Sequence, residues 1–239
     1  MGVNLQAVDK LQRNAAHYAA LSGSDSIISF LWAQGLDINL EDINGYPPFL
    51  YAIQTCSKDT INLFLLNGSK TSYEGLNISL IMMASIGIDP DNIDILFEYD
   101  QRINEQFMQT WPILEATKRG NFLIVKKLVE KGADFNVISS NGNSLLHVAS
   151  ELGFLDIVKY LLQLGMGIDL MNVSNETPLF KAIYSKHNDV VIFLLLNGAN
   201  KALLVDPIVP LLIRTKNFQL FDSISFDKLD LNTLDRITY

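Results

Sequence analysis

Few side chains in this sequence could do chemistry. The three histidines are His17, His147 and His187, the only cysteine is Cys56, and the densest carboxylate stretch is Asp89, Asp91, Asp94, Glu98, Asp100 and Glu105, with Arg102 as its one nearby cation. A zinc-type metal site needs imidazoles and thiolates that converge at short spacings, and no two of these histidines are close in sequence or joined by a cysteine. A cysteine nucleophile needs a base to take its proton, and no histidine stands near Cys56 in the sequence. A calcium loop needs a glycine at its sixth position to make the sharp turn, and the acidic stretch has none. Neither a G-x-G-x-x-G, a Walker nor a G-x-S-x-G motif is present. The expectation is no catalytic residue, no cofactor site and no metal site, with the acidic stretch read as solvated surface or as an attraction for a basic partner.

Composition narrows the partner classes. The 239 residues carry a formal net charge of -8 and a pI near 4.8, and no Lys/Arg cluster offers the footprint that a phosphate backbone requires. A nucleic-acid partner is therefore not expected. With 49% hydrophobic and 18% charged residues the chain can bury a continuous core. One cysteine allows no intrachain disulfide, which fits a reducing cytoplasm. The longest apolar run, Leu80 to Ile88, is far shorter than the roughly 20 residues a membrane helix needs, so no membrane insertion is expected. The first ten residues lack both the basic start and the apolar segment of a signal peptide. Gln6 stands where a myristoylation signal wants Ser or Thr.

The elements that must position these side chains repeat. From Asn141 to Gly165 the chain reads N-G-N-S-L-L-H-V-A-S-E-L-G-F-L-D-I-V-K-Y-L-L-Q-L-G: a turn, a short small-residue helix closed by Gly153, and a second helix carrying Ile157, Val158, Leu161 and Leu162, closed by Gly165. Glycine closes helices because it reaches the left-handed conformation without steric cost. From Gln12 to Gly45, His17 to Leu50, Gly23 to Cys56 and Gly35 to Gly68 the same positions recur at 33 residues. Small residues recur on each first helix at Ala19, Ala20, Ala52, Ala84, Ala116, Ala149 and Ala182, where they let successive helices approach closely. Longer apolar residues such as Ile124, Val125, Leu128 and Val129 on the second helices are expected between the layers. A single such unit cannot bury both faces, so stability comes from stacking neighbours.

This pattern closely resembles the ankyrin repeat, carried by motifs such as T-P-L-F at Thr177 to Phe180, S-L-L-H-V-A at Ser144 to Ala149 and K-G-A-D-F-N at Lys131 to Asn136. The resemblance implies an all-α solenoid of stacked helix-turn-helix units joined by β-hairpin-like loops, forming a single domain over residues 1–239. Its repeats are expected at about 9–40, 41–72, 73–104, 105–137, 138–170 and 171–202, with a degenerate C-terminal cap at 203–224 and a polar tail at 225–239. Gly2, Val3 and Asn4 look like the end of a preceding repeat. In the third repeat the expected helices are Ser79 to Ser85 and Asn92 to Phe97, with Asp89 and Pro90 remodelling the turn between them, since Pro90 cannot sit inside a helix. The resemblance gives His17 and His147 a scaffold role, tying neighbouring loops by hydrogen bonds; His187 and Cys56 also fall at scaffold positions.

The informative departures are at the hairpin tips, which are usually polar in the family. Ile43, Tyr46, Tyr73, Leu76, Ile78, Phe107 and Met108 are apolar or aromatic. Two readings stand side by side: they brace the irregular third repeat, or they form an exposed interface patch. The family implies a non-catalytic protein-binding module, here expected to be monomeric, whose partner meets the concave hairpin and inner-helix face and has a basic rim facing the acidic stretch. The alternatives are an ankyrin arm of a larger enzyme and a bacterial effector delivered into the cytoplasm of a host cell.

Overall fold

A computed structural model describes residues 4, 6–73, 78–204 and 208–216. Its described residues form thirteen α-helices and one short 3-10 helix, with no strand. They fall into two compact units, Met1–Asp134 and Phe135–Tyr239.

The first unit holds four helix pairs: α1 (Ala15–Ser22) with α2 (Asp25–Ala33), α3 (Pro48–Thr55) with α4 (Lys58–Leu66), α5 (Leu80–Ser85) with α6 (Asp91–Leu96), and α7 (Pro112–Lys118) with α8 (Phe122–Glu130). First helices pack on first helices, α1 on α3 on α5 on α7, and second helices on second helices, α2 on α4 on α6 on α8. Two layers result. The reason lies in the small residues: Ala19, Ala20, Ala52, Ala84 and Ala116 are all buried, and their short side chains let the first helices stack. Ile124, Val125 and Leu128 of α8 are fully buried between the layers, whereas Val129 is only half-buried.

Polar side chains tie one loop to the next. Asn39 donates to the carbonyl of Gly68 and accepts from the amide of Lys70, at 3.1 and 3.0 Å. Asn104 repeats the arrangement with Gly132 and Asp134, at 3.0 and 2.8 Å. Each side chain satisfies an amide and a carbonyl that the loop itself leaves unpaired.

The irregular third pair is held by its own substitutes for consensus. Pro90 precedes α6 in helical conformation, where its missing amide costs nothing. Asp89 accepts from Asp91 N and, 31 residues back, from Lys58 N, both at 2.9 Å. The amide of buried Asn92 donates to the Cys56 carbonyl at 3.0 Å, bridging α6 to the end of α3.

The second unit contains α9 (Leu145–Leu152), α10 (Leu155–Gln163), α11 (Pro178–Tyr184), α12 (Asn188–Leu196), the 3-10 turn Lys201–Leu203 and α13 (Ile208–Thr215). Helix α9 packs on α11 and α11 on α13, while α10 packs on α12. Ala149 and Ala182 are fully buried in the first-helix layer. Thr177 caps α11 by accepting from Phe180 N at 3.2 Å, with Pro178 in the first turn. No helix among the described residues is long and apolar enough to cross a membrane. Of the cap expected at 203–224, residues 205–207 and 217–224 lie outside the described residues, as does the tail at 225–239.

Candidate functional site

The hairpin loops of the first unit are built from a repeated turn. Asp42 accepts from the amides of Asn44 and Tyr46 at 2.8 and 3.0 Å and from the Tyr51 hydroxyl at 2.6 Å. Asp9 makes the same set with Leu11 N, Arg13 N and the Tyr18 hydroxyl, at 2.8, 2.9 and 2.6 Å. Burial acts to raise the Asp42 pKa, but the Tyr51 hydroxyl and the two amides outweigh it and hold the carboxyl below its ordinary range. Burial and the same bond push Tyr51 up to about 12. The turn is therefore anionic and rigid, and it displays the next side chain outward. That side chain is Ile43, 62% exposed. Its amide donates to the Leu11 carbonyl at 2.9 Å, which sets exposed Leu11 beside it. Tyr46 is half-buried, its ring 6.2 Å from that of Tyr51 and the two planes at 61°.

The tip before α7 is different. Phe107 and Thr110 exchange backbone hydrogen bonds of 2.8 and 3.0 Å, and between them Met108 and Gln109 both take positive φ, 50° and 65°. Such a two-residue turn favours Asn and Gly, so the bulky pair stores strain there. Met108 is 82% exposed and Phe107 only 3%. Phe107 therefore does not present itself to a partner. Its ring lies under Arg102, whose guanidinium carbon is 5.4 Å from the ring centroid.

Arg102 in turn organises the base of this loop. It pairs with Asp100 through two bonds of 2.8 and 3.0 Å and donates to the Ile78 carbonyl at 3.0 Å. Asp100, itself buried, accepts from Leu80 N at 2.7 Å. Burial raises the Asp100 pKa, but Arg102 and its other donors override it downward. Tyr73 stands nearby in the wall of an open cleft of about 350 Å3 that also includes Tyr99, Asp100 and Arg102. It is half-buried, donates to the Lys70 carbonyl at 2.6 Å, and burial pushes its pKa up. Leu76 lies outside the described residues.

The acidic stretch is not uniformly solvated. Asp100 is spent on Arg102, Asp89 on backbone amides, and Asp94 pairs with Lys127 at 2.6 Å and Lys131 at 2.9 Å. Arg102 is thus not the only cation near it in space. Asp91, Glu98 and Glu105 remain exposed.

The groups considered for catalysis are engaged in the scaffold. His17 Nε2 meets the Tyr46 carbonyl at 3.0 Å, and His147 Nε2 meets the Glu176 carbonyl at 2.9 Å. Burial lowers both pKa values. The Cys56 thiol donates to the Ala20 carbonyl at 2.9 Å, is buried, and has its pKa raised by that burial, the opposite of what a nucleophile needs. Among the described residues no cluster of three or more His, Cys, Asp or Glu could hold a metal.

Sequence reasoning did not single out Leu11 and Tyr18, both exposed on the first turn and helix, or Val173 of the second unit, 75% exposed. Val173 follows Asn172 as Ile43 follows Asp42. Asn172 accepts from the amides of Ser174 and Glu176, so the turn signal at that position could have found it.

Residues 113–203 match the family model for ankyrin repeats, in three copies. The chain is 23% identical over 192 residues to the NAD-dependent deacetylase sir2B of Dictyostelium discoideum, covering 72% of this chain and 24% of that protein. It is 39% identical over 93 residues to human palmitoyltransferase ZDHHC13, covering 38% of this chain and 15% of that protein. Against the human transient receptor potential cation channel subfamily A member 1 it is 27% identical over 207 residues, or 82% of this chain and 18% of the channel. The chain thus spans about a quarter or less of these relatives. In structure it is similar to the crystal structure of the human ASB11 ankyrin repeat domain, with a TM-score of 0.67 and 22% identity over 85% of this chain and 98% of that one. Such repeats generally mediate protein-protein interaction; residues 113–203 of this chain carry them, and the fold of the described residues is similar to that of an ankyrin repeat domain.

Proposed function

We propose that the chain is a non-catalytic protein-interaction module, acting as a monomer in a reducing compartment such as the cytoplasm. Its partner docks on the hairpin side of the first unit. The observation that carries this reading is the pair of exposed apolar tips, Ile43 and Met108, each displayed by a loop whose backbone is fixed by hydrogen bonds. An apolar side chain held rigidly in water loses little conformational entropy on binding and gains its full burial. Tyr46 and Tyr73 extend the surface as half-buried aromatics with polar ends, the composition of interface anchors. Leu76 belongs to the same proposed surface by sequence, and Phe107 contributes from beneath, as the support on which Met108 stands. Exposed Asp91, Glu98 and Glu105 favour a basic rim on the partner.

A second reading has a specific observation behind it: the curated relatives with this similarity are several times longer, and two of the three named above are enzymes. On that reading the chain is the ankyrin arm of a larger enzyme, and the same surface recruits its substrate or regulator.

The test is site-specific photo-crosslinking from Ile43 and from Met108 in cell extract, with exposed Leu66 on a second helix as the control position. One common adduct from both tips and none from Leu66 supports the surface. Adducts from Leu66 alone would move the interface to the opposite layer.

A further inference from the structure

A polar side chain crosses from one loop to the next at a fixed register, eight residues after the last buried side chain of a second helix: Asn39 after Leu31, Asn104 after Leu96, Asp169 after Leu161. Asn39 accepts from Lys70 N, Asn104 from Asp134 N and Asp169 from Asn200 N, at 3.0, 2.8 and 2.9 Å. After buried Phe64 the same register holds Ser72, whose side chain is one bond shorter than asparagine's. The amide at the corresponding place in the next loop is that of Arg102, and Asp100 of its own loop takes it at 3.1 Å. A bond within one loop has replaced the bond between two.

Between these loops lies the cleft of about 350 Å3, with residues 71–73 as one wall and 99–102 as the other. Each wall brings one tyrosine. Tyr73 is half-buried and fixed by its bond to the Lys70 carbonyl, and Tyr99 is 50% exposed. The cation of the lining, Arg102, is already paired, with Nε and Nη2 on Asp100 and Nη2 also on the Ile78 carbonyl. Around that neutral pair the field is negative. Burial, and after it the Glu41 carboxylate, pushes the Tyr73 phenol up, while Asp100 and then Glu105 raise the Arg102 pKa. Lys70 faces Glu41 at 3.5 Å. Glu41, Asp100 and Glu105 thus outnumber Lys70 and Arg102, in a chain of net charge -8.

A cation is drawn to the face of a phenol ring, and a guanidinium, planar and weakly hydrated, stacks there at less desolvation cost than an ammonium. Thr71 and Ser72 add hydroxyls to the same wall, able to accept from its N–H groups. We propose that this cleft takes an arginine side chain, its guanidinium held against Tyr73 and Tyr99. That arginine belongs to the partner proposed for the hairpin side of this unit, and in this the site rests on the interaction-module reading; the chemistry of the cleft is testable without the partner.

The test is heteronuclear NMR titration of the full chain with the tripeptide acetyl-Gly-Arg-Gly-amide, and with analogues carrying glutamate or citrulline, which keeps the shape of arginine without its charge. The expected result is saturable shifts of the amides in residues 71–73 and 99–102, at least about tenfold weaker in affinity for citrulline and absent for glutamate. Tyr99→Ala should weaken arginine binding about tenfold, and Tyr99→Phe, which keeps the ring, should retain it. Unchanged amide shifts in α7 and α8 show that each variant stays folded. Absence of saturable shifts overturns the proposal, as does equal binding of citrulline or binding that survives Tyr99→Ala. Tighter binding of the glutamate peptide also overturns it and assigns the cleft to a carboxylate on Arg102. Arginine binding without partner capture at Ile43 and Met108 would leave the cleft standing and remove the docking surface; capture without arginine binding would do the reverse.

Discussion

The Nε2 atom of His17 stands 3.0 Å from the carbonyl oxygen of Tyr46, 29 residues further along the chain. A carbonyl only accepts, so this nitrogen carries a ring proton, while Nδ1 lies 3.1 Å from the backbone amide of Asn14 and 2.8 Å from the Asn14 side-chain oxygen. His147 is bound in the same way to Glu176, again 29 residues on, and to the amide of Ser144 at 3.2 Å. Each neutral ring staples the start of one repeat to the turn of the next.

A pH dependence follows. Burial, only partly offset by the carbonyl bond, lowers the pKa of both rings in the folded chain, so the unfolded chain binds protons first. Stability from this source is complete above the unfolded value of about 6.5 and falls as pH drops through it. The depressed carboxyls of Asp42, Asp94, Asp100 and Glu176 have the opposite protonation logic. Their contribution is full at neutral pH and declines only below about pH 4. Melting temperatures taken at half-unit steps should therefore fall in two stages on acidification. The double variant His17→Gln, His147→Gln should start less stable at pH 7.5 and lose the upper stage; an unchanged upper stage would place its origin elsewhere.

Two glycines separate strain from space. Gly165 has φ 87° with nothing near the position of an added Cβ, whereas Gly153 has φ 78° and an added Cβ would strike the His187 ring. Gly165→Ala should cost about 1 kcal/mol from the left-handed backbone alone. Gly153→Ala adds a clash and should cost about 2–4 kcal/mol. Chemical denaturation of the two variants measures the difference, and equal losses would mean that the His187 ring moves aside freely.

Asp100 is the keystone of the third helix pair. It receives Leu80 N and both Arg102 bonds while almost fully buried. Asp100→Ala leaves a buried amide and a partly buried guanidinium without their acceptor, for about 2–3 kcal/mol, discounted because Arg102 is itself part-exposed. Exchange should quicken in Leu80 to Ser85 far more than in α8. Uniform loss across the first unit would instead show that its pairs unfold as one.

The helices and their two layers were legible because the alanines and the 33-residue offsets are local and periodic, and a periodic signal survives even where single positions deviate. Even the irregular pair came out within a residue or so, Leu80–Ser85 and Asp91–Leu96 against Ser79 to Ser85 and Asn92 to Phe97. What the pattern could not give were contacts made across repeats by residues outside the consensus. Lys127 and Lys131 reach back to Asp94, and nothing in the acidic stretch itself announces them. The same holds for Phe107 and Met108, which are adjacent and both apolar, yet point to opposite fates. Only the backbone turn between Phe107 and Thr110, with its two residues at positive φ, decides which of them faces the core.

That turn gives the sharpest functional test. Phe107 is buried under Arg102 and Met108 is exposed on a strained tip, so the two side chains should separate cleanly in experiment. Phe107→Ala removes a core aromatic and should cost about 3 kcal/mol or more, lowering the melting temperature by several degrees. Met108→Asp removes no core contact and should leave the melting temperature within a degree or so. If the exposed tip is the interface, the same substitution should weaken partner capture by about 2 kcal/mol, roughly thirtyfold, as loss of an interface anchor does. Replacing Met108 and Gln109 together by Asn and Gly supplies the residues that this turn prefers; it should raise stability while still losing capture. A stabilised Asn-Gly variant that retains full partner affinity would show that the strain and the exposed methionine serve neither recognition nor support, and would move the interface to Ile43 and its neighbours.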